Sequence, residues 1–327
     1  NSPEIGGVAI APLGVSMSAW LILVGGALLV VFVRRQRSLV RQGRSPLVHV
    51  ELFSIAQLRS GLSVLGAQYA VTAGLFFMVP VYLQMTLGLN ALETGIKIFP
   101  LSISLILFSI VGTRLSTRWS PRRIVRVGQL ILVFSALILL AAATEDLRSV
   151  VFAAGMFLAG AALGLLASQL GNVNMSAVSE KETSEVGGLQ GVFQNLGSSL
   201  GTALIGSVLI GALATSFAGG VASSELPTAA KATIAEATEG GVAIVPAATV
   251  EALGTEAGLT TEEAATLATL YRDSQLSSLR VAFFGLIVIS ALALLFSRGI
   301  PSTVPERRRA APVSGAPHDD GTSDDER

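Results

Sequence analysis

The sequence predicts an all-α polytopic membrane protein with seven transmembrane helices, and three observations lead there. Of its 327 residues, 51% are hydrophobic and only 13% charged, about half the charge of an ordinary soluble domain. The charges cluster and leave apolar windows near the roughly 20 residues a helix needs to cross about 30 Å of hydrocarbon. The basic residues, finally, gather in alternate connections, as the positive-inside rule requires of a multi-span chain.

The first window runs from about Leu13 to Val33, and the second lies between Arg59 and Glu93 around GLSVLGAQYAVTAGLFFMVPVYLQMTLG. The third sits between Lys97 and Arg114 and is short, so both flanking cations are expected to snorkel to the interfaces. The others are Ile124–Ala143, Ser149–Gly171, Glu185–Leu213 and Leu279–Phe296. All must be helices, because an unpaired backbone in lipid is too costly. The expected organisation is a first span in residues 1–33 and a basic linker with an interfacial helix in 34–60. Spans two to six follow in 61–213, an acidic loop in 214–278, the seventh span in 279–297 and a disordered tail in 298–327.

Arg34, Arg35, Arg37, Arg41 and Arg44 follow span one; Arg114, Arg118, Arg122, Arg123 and Arg126 surround the junction of spans three and four; Arg298 and Arg307–Arg309 follow span seven. These connections share one parity, which places them and the C-terminus in the cytoplasm. The 214–278 loop, with eight acids against Lys231 and Arg272, is then extracellular. Its Ala-, Thr- and Glu-rich sequence reads as one or two short amphipathic helices rather than a folded domain. The chain opens at Asn1 with neither an initiator Met nor the basic start of a signal peptide, and is expected to be a fragment of something longer.

Several chemistries are excluded. There is no cysteine, so no disulfide, thiolate metal site or thiol nucleophile. The only histidines, His49 and His318, are far apart, and no metal site is expected. Equal numbers of Lys+Arg and Asp+Glu argue against nucleic acid as a partner. The partners expected are the lipid bilayer and a small-molecule substrate; no hydrolytic constellation and no enzyme activity is read here.

Polar and small residues within spans carry the remaining information, since an unpaired polar group in a bilayer usually faces a bundle interior or a cavity. Gln68, Tyr69, Thr72 and Phe76 mark one side of span two, and Gln190 and Gln194 share a face of span six. Each reads either as cavity lining or as an interhelical hydrogen-bonding group. Gly160/Gly164 and Gly197/Gly201 form GxxxG pairs for close helix packing. Pro80 and Pro100 each remove a backbone bond inside a span, giving a hinge or a static kink. Gln84 is a gate candidate at the outer end of span two. In GTRLSTRWSPRRIV, Gly112 permits close approach, Arg114 and Arg118 suit a helix C-terminus, and Ser120-Pro121 reads as N-cap and first helical residue.

That last segment resembles the cytoplasmic-loop signature of the major facilitator superfamily at Gly112, Leu115, Arg118, Arg122 and Arg123; Thr117 stands where the family places Asp, and Ser120 where it places Gly. VPVYLQMTLGLNALETGIKIFP resembles the fourteen-span drug:proton antiporter branch at Val81, Tyr82, Leu83, Gln84, Gly88, Gly95 and Pro100. GLQGVFQNLGSSLGTALIGSVL resembles that branch's penultimate span at Gln194, Leu196, Gly197, Gly201 and Ala203, and RQRSLVRQGRSPLVHVELF resembles the basic stretch ahead of its ninth span at Pro46, Leu47, Leu52 and Phe53. The resemblance implies spans eight to fourteen: one inserted span plus the C-terminal six-helix bundle. It further implies alternating-access efflux of amphipathic compounds across the plasma membrane, with spans two and five lining the cavity. The proton gradient would be the energy source, no cofactor is implied, and the partner bundle would be the missing N-terminal half. No Asp or Glu lies mid-span, so the coupling carboxylate is expected in that half. A metabolite exporter or importer (of a sugar, amino acid or siderophore) would use the same bundle; a membrane sensor or scaffold would use the acidic loop instead.

Overall fold

A computed structural model describes residues 4–5, 8–9, 17–44, 46–144, 149–238 and 242–302. Residues 13–16 of the expected first span, together with the 303–327 tail, its Arg307–Arg309 run and His318, lie outside the described residues. Apart from a minimal antiparallel pair, β1 (Glu4–Ile5) and β2 (Val8–Ala9), the described chain is helical. Its helices are α1 (Met17–Arg41), α2 (Ala56–Val81), α3 (Ala91–Leu115), α4 (Pro121–Ala142), α5 (Ser149–Met175), α6 (Thr183–Ser223), α7 (Thr228–Thr238), α8 (Ala247–Glu256) and α9 (Thr261–Phe296). Among the described residues, seven helices (α1 to α6 and α9) are long and apolar enough to cross a membrane. The chain is a multi-pass, all-α membrane protein.

Several helix starts follow from local chemistry. Asn90 and Glu93 form a reciprocal capping box at α3, each side chain accepting the other's backbone N–H at 2.9 Å. Thr260 and Glu263 repeat it at α9. At α4, Pro121 takes the first helical position as expected. Ser120 occupies the N-cap site, but its hydroxyl makes no cap bond, a correction to the sequence reading. Gly258, at φ +89°, ends α8, so the Leu259 N–H reaches back to the Gly254 carbonyl.

Two glycine-pair contacts organise the bundle. A Cβ at Gly160 would lie on the Leu101 carbonyl oxygen, and one at Gly164 on the Leu105 carbonyl, so α5 meets α3 backbone to backbone. Gly197 and Gly201 bring α6 equally close to the Gly66 and Ala70 carbonyls of α2. Gly128 and Gly155 let α4 and α5 pack, and Gly74 seats Ile205 of α6 and Leu286 of α9 against α2. The resulting apolar core runs through α2, α4, α5, α6 and α9.

The carbonyls at the end of α4 and in the two residues after it need partners where helical bonding stops. The Tyr82 hydroxyl donates to the Thr144 oxygen at 2.8 Å and reaches the Ala142 oxygen at 3.3 Å, while the Arg280 guanidinium donates to the Ala143 oxygen at 3.4 Å. Tyr82 is fully buried. Tyr82→Phe is expected to lower stability by about 1–2 kcal/mol, read as a reduced Tm, while conserving the ring packing against Phe152; an unchanged Tm would remove Tyr82 from this role.

Three expected boundaries change. First, α1 continues through Arg34, Arg35 and Arg37 to Arg41, and the interfacial element of the 34–60 linker is a single 3-10 turn, Val50–Ser54. Most of the length of α1 is exposed, and it joins the rest through Gln36, which is buried and accepts the Leu47 N–H at 2.8 Å. Second, α6 does not stop at 213 nor α9 start at 279: they run 41 and 36 residues, about 60 and 54 Å, well beyond a hydrocarbon core of about 30 Å. Their overhanging ends, with α7 and α8, enclose a separate core of Leu213, Phe217, Val221, Leu226, Ile234, Leu267 and Tyr271. The 214–278 segment is thus a folded helical cap, because its Ala-rich helices each carry an apolar stripe that closes on the others. Third, the start of the expected tail is partly packed: Ile300 is buried in the bundle core, and a Cβ at Gly299 would meet Ser60, while Arg298 and Ser302 are exposed.

Candidate functional site

The sequence singled out two regions, a polar and aromatic stripe on the spans and a basic hairpin, and the structure separates their members. On α2, Gln68 is buried; its Nε2 donates to the Leu163 oxygen of α5 at 3.5 Å, and its Oε1 has no hydrogen-bond partner. Thr72 turns its hydroxyl back onto the Gln68 carbonyl at 2.8 Å. Tyr69 is half-buried against the core, whereas Phe76 is 49% exposed. Pro80 lacks the N–H that would bind the Phe76 carbonyl. A π-helical turn, Tyr82–Thr86, follows and holds Gln84 half-buried. Pro100 lies inside a continuous α3.

On α6, the Gln190 side chain donates to the Gly171 oxygen of α5 at 3.4 Å, and Gln194 lies half-buried one turn on. Beside them Val192, Leu196, Leu200 and Leu204 are exposed. The span expected to line a cavity with α2 behaves differently. Residues 159–166 of α5 are all buried, enclosed by α2, α3 and α4; Gly160 and Gly164 admit α3 so closely that no open surface is left at mid-helix. Exposed apolar side chains are carried by α3, α4, α6 and α9 and by Phe76 of α2, and the polar residues singled out by sequence lie on the part of that surface formed by α2 and α6. That part is apolar and aromatic with a few neutral hydrogen-bonding groups, which suits an amphipathic organic molecule and offers no acid–base pair. Among the described residues, no group of His, Cys, Asp or Glu is arranged to hold a metal.

The basic hairpin is tightly seated. A Cβ at Gly112 would overlap Ser168 of α5, and Gln169, two per cent exposed, donates to the Gly112 oxygen at 3.1 Å. Leu115 is half-buried and Arg118 exposed. Arg123 stacks over the Trp119 ring, 4.7 Å from its centroid. Arg122 is half-buried, its backbone N–H on the Pro301 oxygen at 3.3 Å, and Arg126 donates to the Ser297 hydroxyl at 3.2 Å. The hairpin thereby holds the segment after α9. Thr117, where the resemblance places an acid, bonds the Arg114 oxygen of its own turn.

Two anchors escaped the sequence reading. His49 Nδ1 pairs with Glu185 at 2.9 Å, and the same carboxylate accepts the His49 backbone N–H at 2.9 Å, fastening the linker to the start of α6. Nothing local signals a pair 136 positions apart. Gln169 is the other; its buried amide carried the same signal as any glutamine in a span. Near the first, the Ser179 hydroxyl and then its backbone N–H hold the exposed Glu182 carboxyl below the usual carboxylate range. The hairpin, the linker, Glu185 and Ser297–Pro301 thus share one end of the bundle, the basic end, as loop parity predicts; the cap lies at the other.

Residues 2–202 match the family model described as Major Facilitator Superfamily. The chain is 26% identical over 202 residues to a probable actinorhodin transporter of Streptomyces coelicolor, covering 60% of this chain and 35% of that protein. It is 29% identical over 271 residues to a tetracenomycin C resistance and export protein of Streptomyces glaucescens, covering 79% and 48%. A multidrug resistance protein, Stp, of Mycobacterium tuberculosis is 24% identical over 209 residues, covering 64% and 37%. The chain spans a third to a half of the length of these curated relatives.

Proposed function

Since the chain belongs to the major facilitator superfamily, a family of transporters, we propose that it is the C-terminal half of a proton-coupled exporter of amphipathic organic compounds. The observation that carries this reading is the naming of its relatives for drug resistance and antibiotic export. The α2–α6 part of the exposed surface supports it: Tyr69, Thr72, Phe76, Gln190 and Gln194 would form one wall of a cavity whose other wall is a first six-helix bundle. Gln68 would tie that wall to α5, and Gln84 would stand at its rim. With the basic end in the cytoplasm of a plasma-membrane protein, the cap is extracellular. No acid lies at mid-span in α2 to α6 or the second half of α9, so the first bundle would supply the coupling carboxylate.

The test is export by the complete polypeptide in proteoliposomes under an imposed pH gradient. Tyr69→Ala with Gln194→Ala is expected to reduce the rate about ten-fold, equivalent to about 1.4 kcal/mol of binding, and a protonophore to abolish it. Transport untouched by both would sink the reading. The folded cap favours a second reading, a sensor whose ligand binds outside the bundle; there, a cap substitution abolishes signalling and the α2 and α6 substitutions are silent.

A further inference from the structure

The start of α4 carries positive charge that its surroundings leave unanswered. Arg122, Arg123 and Arg126 fall in its first two turns with no acid among them, at the helix end whose dipole already disfavours cations. Arg122 and Arg126 stand one turn apart on one face, where like charges repel. The segment after α9 brings a further cation to this place: Arg126 donates to the Ser297 hydroxyl, Arg298 follows directly, and the Arg122 backbone N–H holds the Pro301 oxygen. The elements packed against α4 are α5, α9 and the Ser297–Gly299 turn, and neither α5, nor α9 beyond Asp273, nor residues 297–302 contain an Asp or Glu.

The acids of this end of the bundle lie elsewhere. Glu51 is on the 3-10 turn before α2, and Glu180, Glu182 and Glu185 are at the start of α6, where Glu182 accepts from the Ser179 hydroxyl and Glu185 is paired with His49. Among the described residues no ion pair involves Arg122, Arg126 or Arg298. The Arg122 Nε is buried without a hydrogen-bond acceptor, an orphan that the oxygens of an anion would satisfy. Beside the arginines both helices present exposed hydrocarbon. On α4, Leu130 and Phe134 continue the Arg122–Arg126 row at four-residue steps; on α9, Phe284, Val288, Leu292 and Leu295 form a row at steps of three and four that leads to Arg298. Apolar rows that end in cations at the edge of a bilayer fit a molecule with acyl chains at one end and a negative head at the other.

We infer that the seam of α4 and α9 at the basic end is a binding site for an anionic phospholipid of the phosphatidylglycerol type, its phosphodiester held by Arg122, Arg126 and Arg298 and its acyl chains lying along the two apolar rows. A zwitterionic lipid would bring its choline to the same arginines with like charge, so the site selects by headgroup. Arg126 and Arg298 lie outside the hairpin signature, and the site stands whether or not the α2–α6 surface transports.

The probe is phosphatidylglycerol with brominated acyl chains, mixed into phosphatidylcholine bilayers around the full chain, and the readout is quenching of a single tryptophan. In a Trp20→Phe/Trp119→Phe background, which removes both native tryptophans, Leu130→Trp reports from the α4 row and Phe284→Trp from the far end of the α9 row, both at exposed positions. At Leu130→Trp, brominated phosphatidylglycerol is expected to be preferred about five-fold over brominated phosphatidylcholine; at Phe284→Trp no preference is expected. Arg126→Gln/Arg298→Gln, at exposed sites, is expected to remove the preference while quenching by brominated phosphatidylcholine stays unchanged, which shows the helix still seated in the bilayer. Equal preference at the two reporters means general attraction to a charged bilayer and overturns the site, as does a preference that survives the double substitution. Loss of the preference on adding inorganic phosphate at constant ionic strength makes this a site for a free anion and overturns the lipid.

Discussion

Gly164→Leu is expected to prevent the bundle from closing. A Cβ at this position meets the Leu105 carbonyl oxygen, the Ser109 nitrogen at 2.8 Å and the Phe108 carbonyl carbon at 3.1 Å. All three are backbone atoms of α3, so no side-chain rotation relieves the overlap, and α3 must move away along the whole contact that Gly160 continues one turn earlier. A destabilisation of about 3 kcal/mol or more follows from overpacking at an unyielding surface. It would be read as loss of a monodisperse species and a fall in Tm of about 10 °C or more. Gly95→Ala, on the same α3, is the control: no atom lies within 4 Å of its would-be Cβ, and alanine improves helix propensity. A Gly164→Leu protein with the Tm of the Gly95→Ala control would mean that the α3–α5 contact is not close-packed.

The second large effect is local. Tyr271→Ala is expected to unfasten the cap and spare the spans. The ring is one per cent exposed, stands edge-on to Phe217 at 5.4 Å, and its hydroxyl holds both Ala243 and Val245. Gln275, one turn on, donates to the Val245 oxygen at 2.8 Å, so a single face of α9 secures the strand of chain leading into α8. Truncation removes the ring and both hydroxyl bonds, for about 3–5 kcal/mol, whereas Tyr271→Phe loses only the bonds, about 1 kcal/mol. Amide hydrogen exchange would show α7 and α8 opening sooner while α2 to α5 keep their protection. Unchanged exchange in α8 would mean that the cap is held elsewhere.

The positions of the spans were legible because a bilayer forbids most charge over about 20 residues. Where helices end was not. The polarity of α6 changes near Leu213 and that of α9 near Leu279, but a helix leaving the hydrocarbon has no reason to stop if its next turns can pack, and Phe217, Val221, Leu267 and Tyr271 supply that packing. The glycine pairs announced close contacts without naming partners; α3 for one and α2 for the other are set by tertiary geometry. Gln68 and Gln169 were ambiguous because a glutamine in a span gives the same signal whether it faces a cavity or a neighbour's carbonyl. Trp119 over Arg123 was within reach, four residues apart across a turn, and His49 with Glu185 was not.

The two overlong helices have a mechanical consequence. The first half of α9 extends about 25 Å past the bundle as a continuation of the same rod, with no break at which rotation could be absorbed. A rigid-body rotation of about 10° at its base sweeps the far tip through about 4 Å. Because α6 is also unbroken and anchors the opposite side of the cap, any relative motion of these two rods works as a pair of tongs on the core between them. A probe fixed at Leu253 and Phe217 would magnify displacements that are too small to follow within the bundle itself.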